Sequence, residues 1–246
     1  SVGVQHELVP RVSLTGTYFR RSFGNFIVTQ NTAVTAADYD SYCITAPTDA
    51  RLPSGGGNQV CGNYDIKPSA LGRVSTLRTS ASNFGKQSET WNGADVLINA
   101  RLANGSFLQG GVSTGRTIAD DCEIRKNHPN VTTSNGYGLA EGLYSGNTAT
   151  GFSPTDFCRV QTPWLTTFRL VGGYPIPLGM QLSATLQNNY GAPLYVNYVA
   201  TNAVVAPNLG RNLAAGAAGN ATFNIVRPGE RYYDRLTQVD LRVTKE

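Results

Sequence analysis

The segment DVLINARLANGSFLQGGVSTGR, from Asp95 to Arg116, places two alternating runs of residues on either side of an Asn-Gly pair. One parity of its first half is apolar and comprises Val96, Ile98, Ala100 and Leu102. The other parity carries Asp95, Asn99 and Arg101, with Leu97 as the exception. Alternation of period 2 is typical of a half-buried strand, and Asn104-Gly105 supplies the positive φ angles of a tight turn. The stretch therefore predicts a β-hairpin, and the alternation alone leaves open what its apolar side faces.

The composition extends this prediction to the whole chain. Of the 246 residues 15 % are charged and 27 are glycines, whereas soluble domains average about 25 % charged residues. We find no window with helical periodicity, and the segment NLAAGAAGNA at 212–221 favours a loop. The sequence predicts an all-β chain that forms one unit over residues 1–246.

Charge and hydropathy exclude several classes of protein. The net charge of +4 is scattered, and no basic run with interleaved aromatics predicts a nucleic-acid partner. No segment approaches the roughly 20 apolar residues of a spanning helix. No signal peptide is visible because Ser1 already lies in a strand pattern. We expect both ends to be cut from a longer protein.

The four cysteines form two local pairs, Cys43 with Cys61 and Cys122 with Cys158, and each pair brackets a Gly/Asn/Asp-rich stretch. With two histidines and no CxxC motif, a zinc site is not expected. The spacing favours two disulfides over free thiols. Such disulfides indicate an oxidising compartment.

The connections between the predicted strands alternate between short and long. Short turns lie at Val9-Pro10, Asn104-Gly105 and PIPLG, whereas long stretches run from about Asn31 to Ser88, Ala119 to Val160 and Asn202 to Gly229. This alternation is typical of an antiparallel up-and-down, transmembrane-type β-barrel with long outer loops. The alternative is a soluble, secreted β-sandwich or β-barrel that binds a carbohydrate or another small ligand.

Two further patterns bear on that choice. In MQLSATLQ, Met180 to Gln187, aliphatic residues alternate with Gln, Ser and Thr, as expected where one face meets lipid and the other lines a wet interior. Aromatic residues lie near the strand ends, at Tyr18, Phe19, Phe23, Phe107, Trp164 and Tyr174. They favour interfacial girdles, and the alternative is that they belong to the core of a sandwich.

The segments VGVQHELVPRVSLTGTYFRR, Val2 to Arg21, and NIVRPGERYYDRLTQVDLRVTKE, Asn224 to Glu246, resemble the C-terminal barrel region of TonB-dependent outer-membrane receptors. The resemblance is to the Oar-like type with a carboxypeptidase-regulatory domain that is abundant in acidobacteria. It rests on strand patterns such as QVDLR and on the hairpin ending in LGMQLSATLQ. It covers most of the chain.

The resemblance implies ligand capture and uptake at the bacterial outer membrane without bond chemistry. It implies three partners: the lipid bilayer, a small-molecule or oligosaccharide ligand, and the TonB system, which would act through a part outside this chain. The family's plug and TonB box are not visible, and the chain ends on Lys245-Glu246 where the family usually ends on an aromatic residue. No cofactor, metal or catalytic residue is expected, and no family ligand residue transfers.

Candidate functional residues lie in the long connections and in one strand. Tyrosines that could stack on a ligand are Tyr39, Tyr42, Tyr137 and Tyr144. The segment GVSTG at 111–115 matches a nucleophile-elbow expression, which would use Ser113 in a secreted serine hydrolase with His128 and Asp120, but it lacks the strand–turn–helix context. The segment ADDCEIRKNH at 119–128 favours a solvated loop over a bound divalent ion, because EF-hand spacing is absent.

Overall fold

The strands dominate the structure, a computed structural model that describes residues 1–133 and 154–245. The prediction of an all-β chain with antiparallel pairing is confirmed. In chain order the strands are β1 (Val2–Val9), β2 (Val12–Phe23), β3 (Ile27–Asn31), β4 (Tyr39–Thr45), β5 (Gln59–Ile66), β6 (Thr76–Ser80), β7 (Ser88–Arg101), β8 (Phe107–Asp120), β9 (Val131–Thr133), β10 (Arg159–Gln161), β11 (Leu165–Ile176), β12 (Met180–Asn189), β13 (Asn197–Thr201), β14 (Asn220–Asn224) and β15 (Leu236–Lys245).

Seven long strands form the main sheet in the order β1-β2-β7-β8-β11-β12-β15, and the short β10 pairs with the end of β8. Neighbours along this path are antiparallel. The predicted hairpin is present: β7 pairs with β8 from Ser88↔Asp120 to Arg101↔Phe107. Gly105 in its turn has a φ of 86°, a conformation that glycine adopts without steric cost. The sheet is open, because β1 and β15 are its two edges.

The three long connections leave the main sheet at one end, since the long strands alternate in direction. Their described parts, residues 24–87, 121–133, 154–164 and 190–235, are called the cap below. The cap contains β3–β6–β9, β4–β5 and β13–β14 as small sheets. The other end of the sheet carries the three short turns and is called the turn end. The predicted alternation of short and long connections is confirmed.

The cap also contains two helices, α1 (Cys122–Asn127) and α2 (Asn202–Leu209), which corrects the expectation that no segment is helical. α2 packs against β4 and β13 and buries Val205. Gly210 ends it in the left-handed conformation with φ 78°, a common helix C-terminus. Its apolar residues lack helical periodicity, so packing on the cap, not sequence pattern, stabilises it.

The hydrophobic core lies in the cap and not in the main sheet. The larger cluster joins residues of all three long connections, among them Ile44, Phe157 and Phe223. A smaller cluster surrounds Ile124. Among the buried apolar residues of the described part, only Ala100 and Ala119 belong to the seven long strands. The main sheet is therefore a single layer of strands, and the cap at one of its ends has its own hydrophobic core.

Candidate functional site

The pairing register divides the main sheet into two chemically different faces, because cross-strand partners share a face. One row across the sheet is Val4, Gly16, Val96, Val112, Phe168, Asn188 and Thr237. The row on the opposite face, one residue along each strand, is Gln5, Thr15, Leu97, Gly111, Arg169, Gln187 and Gln238. The first is called the apolar face and the second the polar face.

The apolar face is exposed across the sheet. Leu241 is 71 % exposed and Val4 70 %, and Leu182 on the strand next to β15 also remains exposed. In a soluble sandwich these aliphatic side chains would be buried against a second sheet. Within residues 1–133 and 154–245 no second sheet covers them. An exposed apolar surface of this extent marks a surface that meets another apolar phase or a partner.

Aromatic side chains border the apolar face at both ends. Trp164 lies at the cap end, with the Arg116 guanidinium 5.1 Å from its ring centroid, and Tyr174 lies at the turn end on β11. They are ten residues apart, which is about 34 Å along a strand.

Charged strand residues on the apolar face lie only at its borders: Arg20, Arg116 and Asp120 at the cap end, and Lys245 at the turn end. The polar face carries charges along its whole height: Glu7, Arg21, Glu89, Asp95, Arg101, Arg169, Asp240 and Arg242. The aromatic prediction is corrected for three residues, because the register places Phe19, Phe23 and Phe107 on the polar face. Tyr18, Trp164 and Tyr174 are on the apolar face.

A concave pocket of about 390 Å³ opens on the polar face just below the cap. We call it the inner-wall pocket, and it is lined by Phe19, Arg21, Phe23, Glu89, Trp91, Asp95, Ser113 and Thr117. The Trp91 indole packs against two glycines of the sheet: a Cβ built on Gly93 would clash with its Cη2 and Cζ2 atoms, and one built on Gly115 would clash with Cζ2 and Cε2. The glycines therefore form the floor that the indole needs. No sequence pattern indicated this pocket.

The three residues of the hydrolase alternative do not meet. The Ser113 hydroxyl donates to Asp95 Oδ1 at 2.6 Å, across the β7–β8 pair. Asp120 is seven residues further along β8, or about 23 Å. The His128 ring packs against Phe84 in the cap, with centroids 5.3 Å apart. Ser113 is thus paired with a carboxylate, and no histidine base is placed to activate it in this geometry.

The predicted ligand tyrosines have different positions. Tyr39 lines a cap cavity of about 290 Å³ together with Asn31 and Arg73, and burial raises the pKa of its hydroxyl. Tyr42 is only 3 % exposed and packs edge-on against Phe223 in the larger core cluster. Burial raises its pKa as well. The ring of Tyr42 is therefore a packing element, which corrects the expectation that it stacks on a ligand. Tyr137 and Tyr144 lie outside the described residues.

Both predicted disulfides are present and lie in the cap. Cys43–Cys61 joins β4 to β5 with Cα atoms 4.1 Å apart, and Cys122–Cys158 joins the start of α1 to the segment before β10 with Cα atoms 4.8 Å apart. The Cys61 amide donates to Asp156 Oδ2 at 2.9 Å, two residues before Cys158. The two crosslinks therefore lie side by side at the same end of the molecule.

A buried ionic network that the sequence did not indicate holds the third long connection to the first. Arg211 donates to Asp40 Oδ2 at 2.8 Å and also pairs with Asp65, whose side chain is almost fully buried. The Ala214 amide donates to the same Asp65 carboxylate at 2.9 Å. Because the carboxylates lie in the first connection and their donors in the third, their pairing fixes how the two pack.

A second buried carboxylate supports α1. Burial raises the pKa of Asp121, although Arg125, 3.7 Å away, favours its charged form. Thr133 donates its hydroxyl to Asp121 Oδ2 and so connects the residue to β9. Arg125 in turn donates to the Pro154 carbonyl at 3.1 Å. Asp121 thus ties three parts of the cap together through α1.

In the described ranges no helix is long and apolar enough to cross a membrane. The same residues contain no group of three or more His, Cys, Asp and Glu side chains placed to hold a metal ion. Within 119–128, Asp120 accepts a hydrogen bond from the Cys122 amide and Asp121 accepts one from the Thr133 hydroxyl.

Comparison with known proteins adds no identity: no family model, curated protein or solved structure matches this chain.

Proposed function

We propose that the protein is part of the wall of a bacterial outer-membrane β-barrel of the TonB-dependent receptor type. In this proposal the sheet lies in the bilayer with its apolar face toward lipid and its polar face toward a hydrated lumen. The disulfide-linked cap stands outside the membrane. A small-molecule or oligosaccharide ligand is captured and taken up, and no bond in it is made or broken.

The observation that carries the proposal is the segregation of charge on the main sheet. Between the Trp164 and Tyr174 levels the apolar face is free of Asp, Glu, Lys and Arg, whereas the polar face carries six such residues from Glu7 to Arg242. A charge facing lipid at the bilayer midplane costs about 2–4 kcal/mol. In water the same charge would cost little on either face. The Trp164 and Tyr174 levels are about 34 Å apart along a strand, and at the tilt of about 40° usual in membrane barrels they would span ~26 Å, close to the ~25 Å apolar band of such barrels. Segregation over this height therefore fits a hydrocarbon layer.

The cap supports an outside location and a binding role. Disulfides persist in oxidising compartments, and both lie at the end of the sheet where the long connections are. Long outer loops over short inner turns are the arrangement of outer-membrane barrels. The TonB system and the receptor type come from the resemblance in the strand patterns. Coupling to TonB would require the family's N-terminal part.

The two tryptophans of the chain provide a direct test, because Trp164 is on the apolar face and Trp91 on the polar face. Trp91→Phe leaves Trp164 as the only indole, and Trp164→Phe leaves Trp91. Each variant is reconstituted in vesicles of lipids brominated either near the headgroup or near the chain end. We expect Trp164 fluorescence to be quenched, more strongly by the headgroup-proximal bromines, because Trp164 borders the band. Trp91 should remain largely unquenched.

Equal quenching of both indoles, or quenching of neither, would contradict the proposal. A chain that stays monomeric without detergent and does not partition into vesicles would instead support the soluble binding module. Trp91→Phe and Trp164→Phe are matched controls for each other, because both are conservative aromatic replacements, one within β7 and the other directly before β11. A general loss of fold in either variant is detected by circular dichroism before the quenching is measured.

A further inference from the structure

We propose that the inner-wall pocket binds an uncharged sugar ring, with the face of Trp91 as its stacking platform. The proposal rests on the function proposed above and names a substrate class and a place for it within the lumen. The residues that we assign to recognition are Trp91 for stacking, and Arg21, Asp95 and Ser113 for the hydroxyl groups.

The orientation of Trp91 is the first part of the argument. An aromatic side chain on a sheet normally stands away from the backbone, but Gly93 and Gly115 let this indole lie against it. The side of the indole that runs from Nε1 to Cη2 contacts the glycines, and Phe19 flanks the ring with centroids 6.2 Å apart and planes tilted by 52°. Trp91 is only half-buried and lines the pocket, so part of its ring surface is available there. A flat apolar ring fits the C–H face of a pyranose, which is flat and apolar as well.

The charges around this platform decide the class of ligand. Arg21 is a donor of hydrogen bonds, whereas the Asp95 carboxylate is an acceptor. A cationic ligand would meet Arg21 and an anionic ligand would meet Asp95. Hydroxyl groups both donate and accept, so a neutral polyol can bond to both side chains without a repulsive contact. Ser113 donates to Asp95 Oδ1 at 2.6 Å and so holds that carboxylate in position.

The size and place of the pocket agree with this class. Its volume of about 390 Å³ is at the small end of ligand sites, which run from about 300 to 1,000 Å³. The pocket therefore suits one or two rings and not a large siderophore. It opens on the polar face between the cap and the middle of the sheet, so a sugar that leaves the cap would meet it first on the inner wall.

The test is a fluorescence titration of the full chain with maltotetraose, cellotetraose and xylotetraose as separate probes. The detergent is an amine oxide, because maltoside and glucoside headgroups would compete for a sugar site. We expect at least one tetrasaccharide to change Trp91 emission saturably in Trp164→Phe. The same sugar should leave Trp164 emission unchanged in Trp91→Phe. Asp95→Asn in the Trp164→Phe background should weaken binding at least tenfold, because a carboxylate acceptor is lost while the shape is kept.

Three outcomes would overturn the proposal: no response to any of the tetrasaccharides, equal responses of the two indoles, or a response of Trp91 to choline or tetragalacturonate as strong as that to the neutral sugars. The test is independent of the membrane experiment. Quenching of Trp164 by brominated lipid without a sugar response removes the sugar site and leaves the barrel wall. A sugar response without lipid quenching keeps the pocket and removes the membrane location.

Discussion

Arginine placed at two adjacent positions of β7 distinguishes a lipid-facing sheet from a water-exposed one. Val96 is 48 % exposed and Leu97 is 47 % exposed, but the register puts Val96 on the apolar face and Leu97 on the polar face. In water Val96→Arg and Leu97→Arg should cost equally little, because both side chains are half-exposed. In a bilayer only Val96→Arg introduces a charge into hydrocarbon.

The expected size follows from the depth of Val96. It shares a row with Phe168, which is four residues from Trp164 and six from Tyr174. On β11 that row lies one residue, or about 3 Å in depth, from the midpoint. At the same tilt the row shifts by a further ~6 Å over the two strands to β7, so Val96 lies about 3–9 Å from the midplane. Val96→Arg should therefore lower the free energy of unfolding by about 1–4 kcal/mol, which is roughly 5- to 900-fold in the equilibrium constant. Leu97→Arg should change it by less than about 1 kcal/mol.

The assay is unfolding of the vesicle-bound protein by urea, followed by tryptophan fluorescence and by heat-dependent mobility on gels. Leu97→Arg is the internal control, since it has the same new residue, strand and exposure. A difference below about 1 kcal/mol between the two variants would refute a lipid-facing apolar face. A larger loss for Leu97→Arg than for Val96→Arg would reverse the assignment of the faces.

Three further predictions concern the cap. Replacing Cys122 and Cys158 together by Ser opens a loop with a sequence separation of 36 and should lower the free energy of unfolding by about 4 kcal/mol on chain-entropy grounds. Urea unfolding with and without reductant measures this loss. A reductant effect on the double variant equal to that on the wild type would contradict the prediction. Arg211→Leu leaves the buried Asp65 carboxylate without its cation and should lower the free energy of unfolding of the cap by about 3 kcal/mol. This loss should appear as faster proteolysis of the cap. Unchanged cleavage would show that the ionic network does not hold the first and third connections together. Asp121 has a raised pKa in the folded cap, so the folded state keeps the Asp121 proton at pH values where the unfolded chain has lost it. The free energy of unfolding should therefore fall as the pH rises from 3.8 through the folded pKa. This pH dependence should disappear in Asp121→Asn.

The sequence indicated the main sheet because each long strand carries its own pattern. Leu182, Ala184 and Leu186 alternate with Gln and Thr whatever the rest of the chain does, and Asn104-Gly105 fixes a turn locally. The disulfide pairs were also predictable, since each pair closes a local loop. Leu97 departs from the alternation but does not end the strand, since β7 pairs in continuous register with β2 and β8 on both sides of it.

The interior of the cap was not predictable for a physical reason: its contacts join segments that are far apart in sequence. Tyr42 meets Phe223, and Arg211 meets Asp40 across 171 positions. No local period marks such pairs, and the exposed or buried state of a tyrosine depends on them. The inner-wall pocket was not predictable for the same reason. Gly93 and Gly115 lie next to each other, where Trp91 can pack on both, only when β7 and β8 are paired in register.

The number of long strands has a consequence for closure of the sheet. Seven antiparallel strands leave β1 and β15 running in the same direction. If they met, they would pair in parallel, and a ring of copies inserted with the same orientation would repeat that mismatch at every joint. Barrels of bacterial outer membranes have even strand numbers and antiparallel neighbours. A cylinder that includes this sheet must therefore add an odd number of strands, and those strands would also shield the two hydrogen-bonding edges from aggregation.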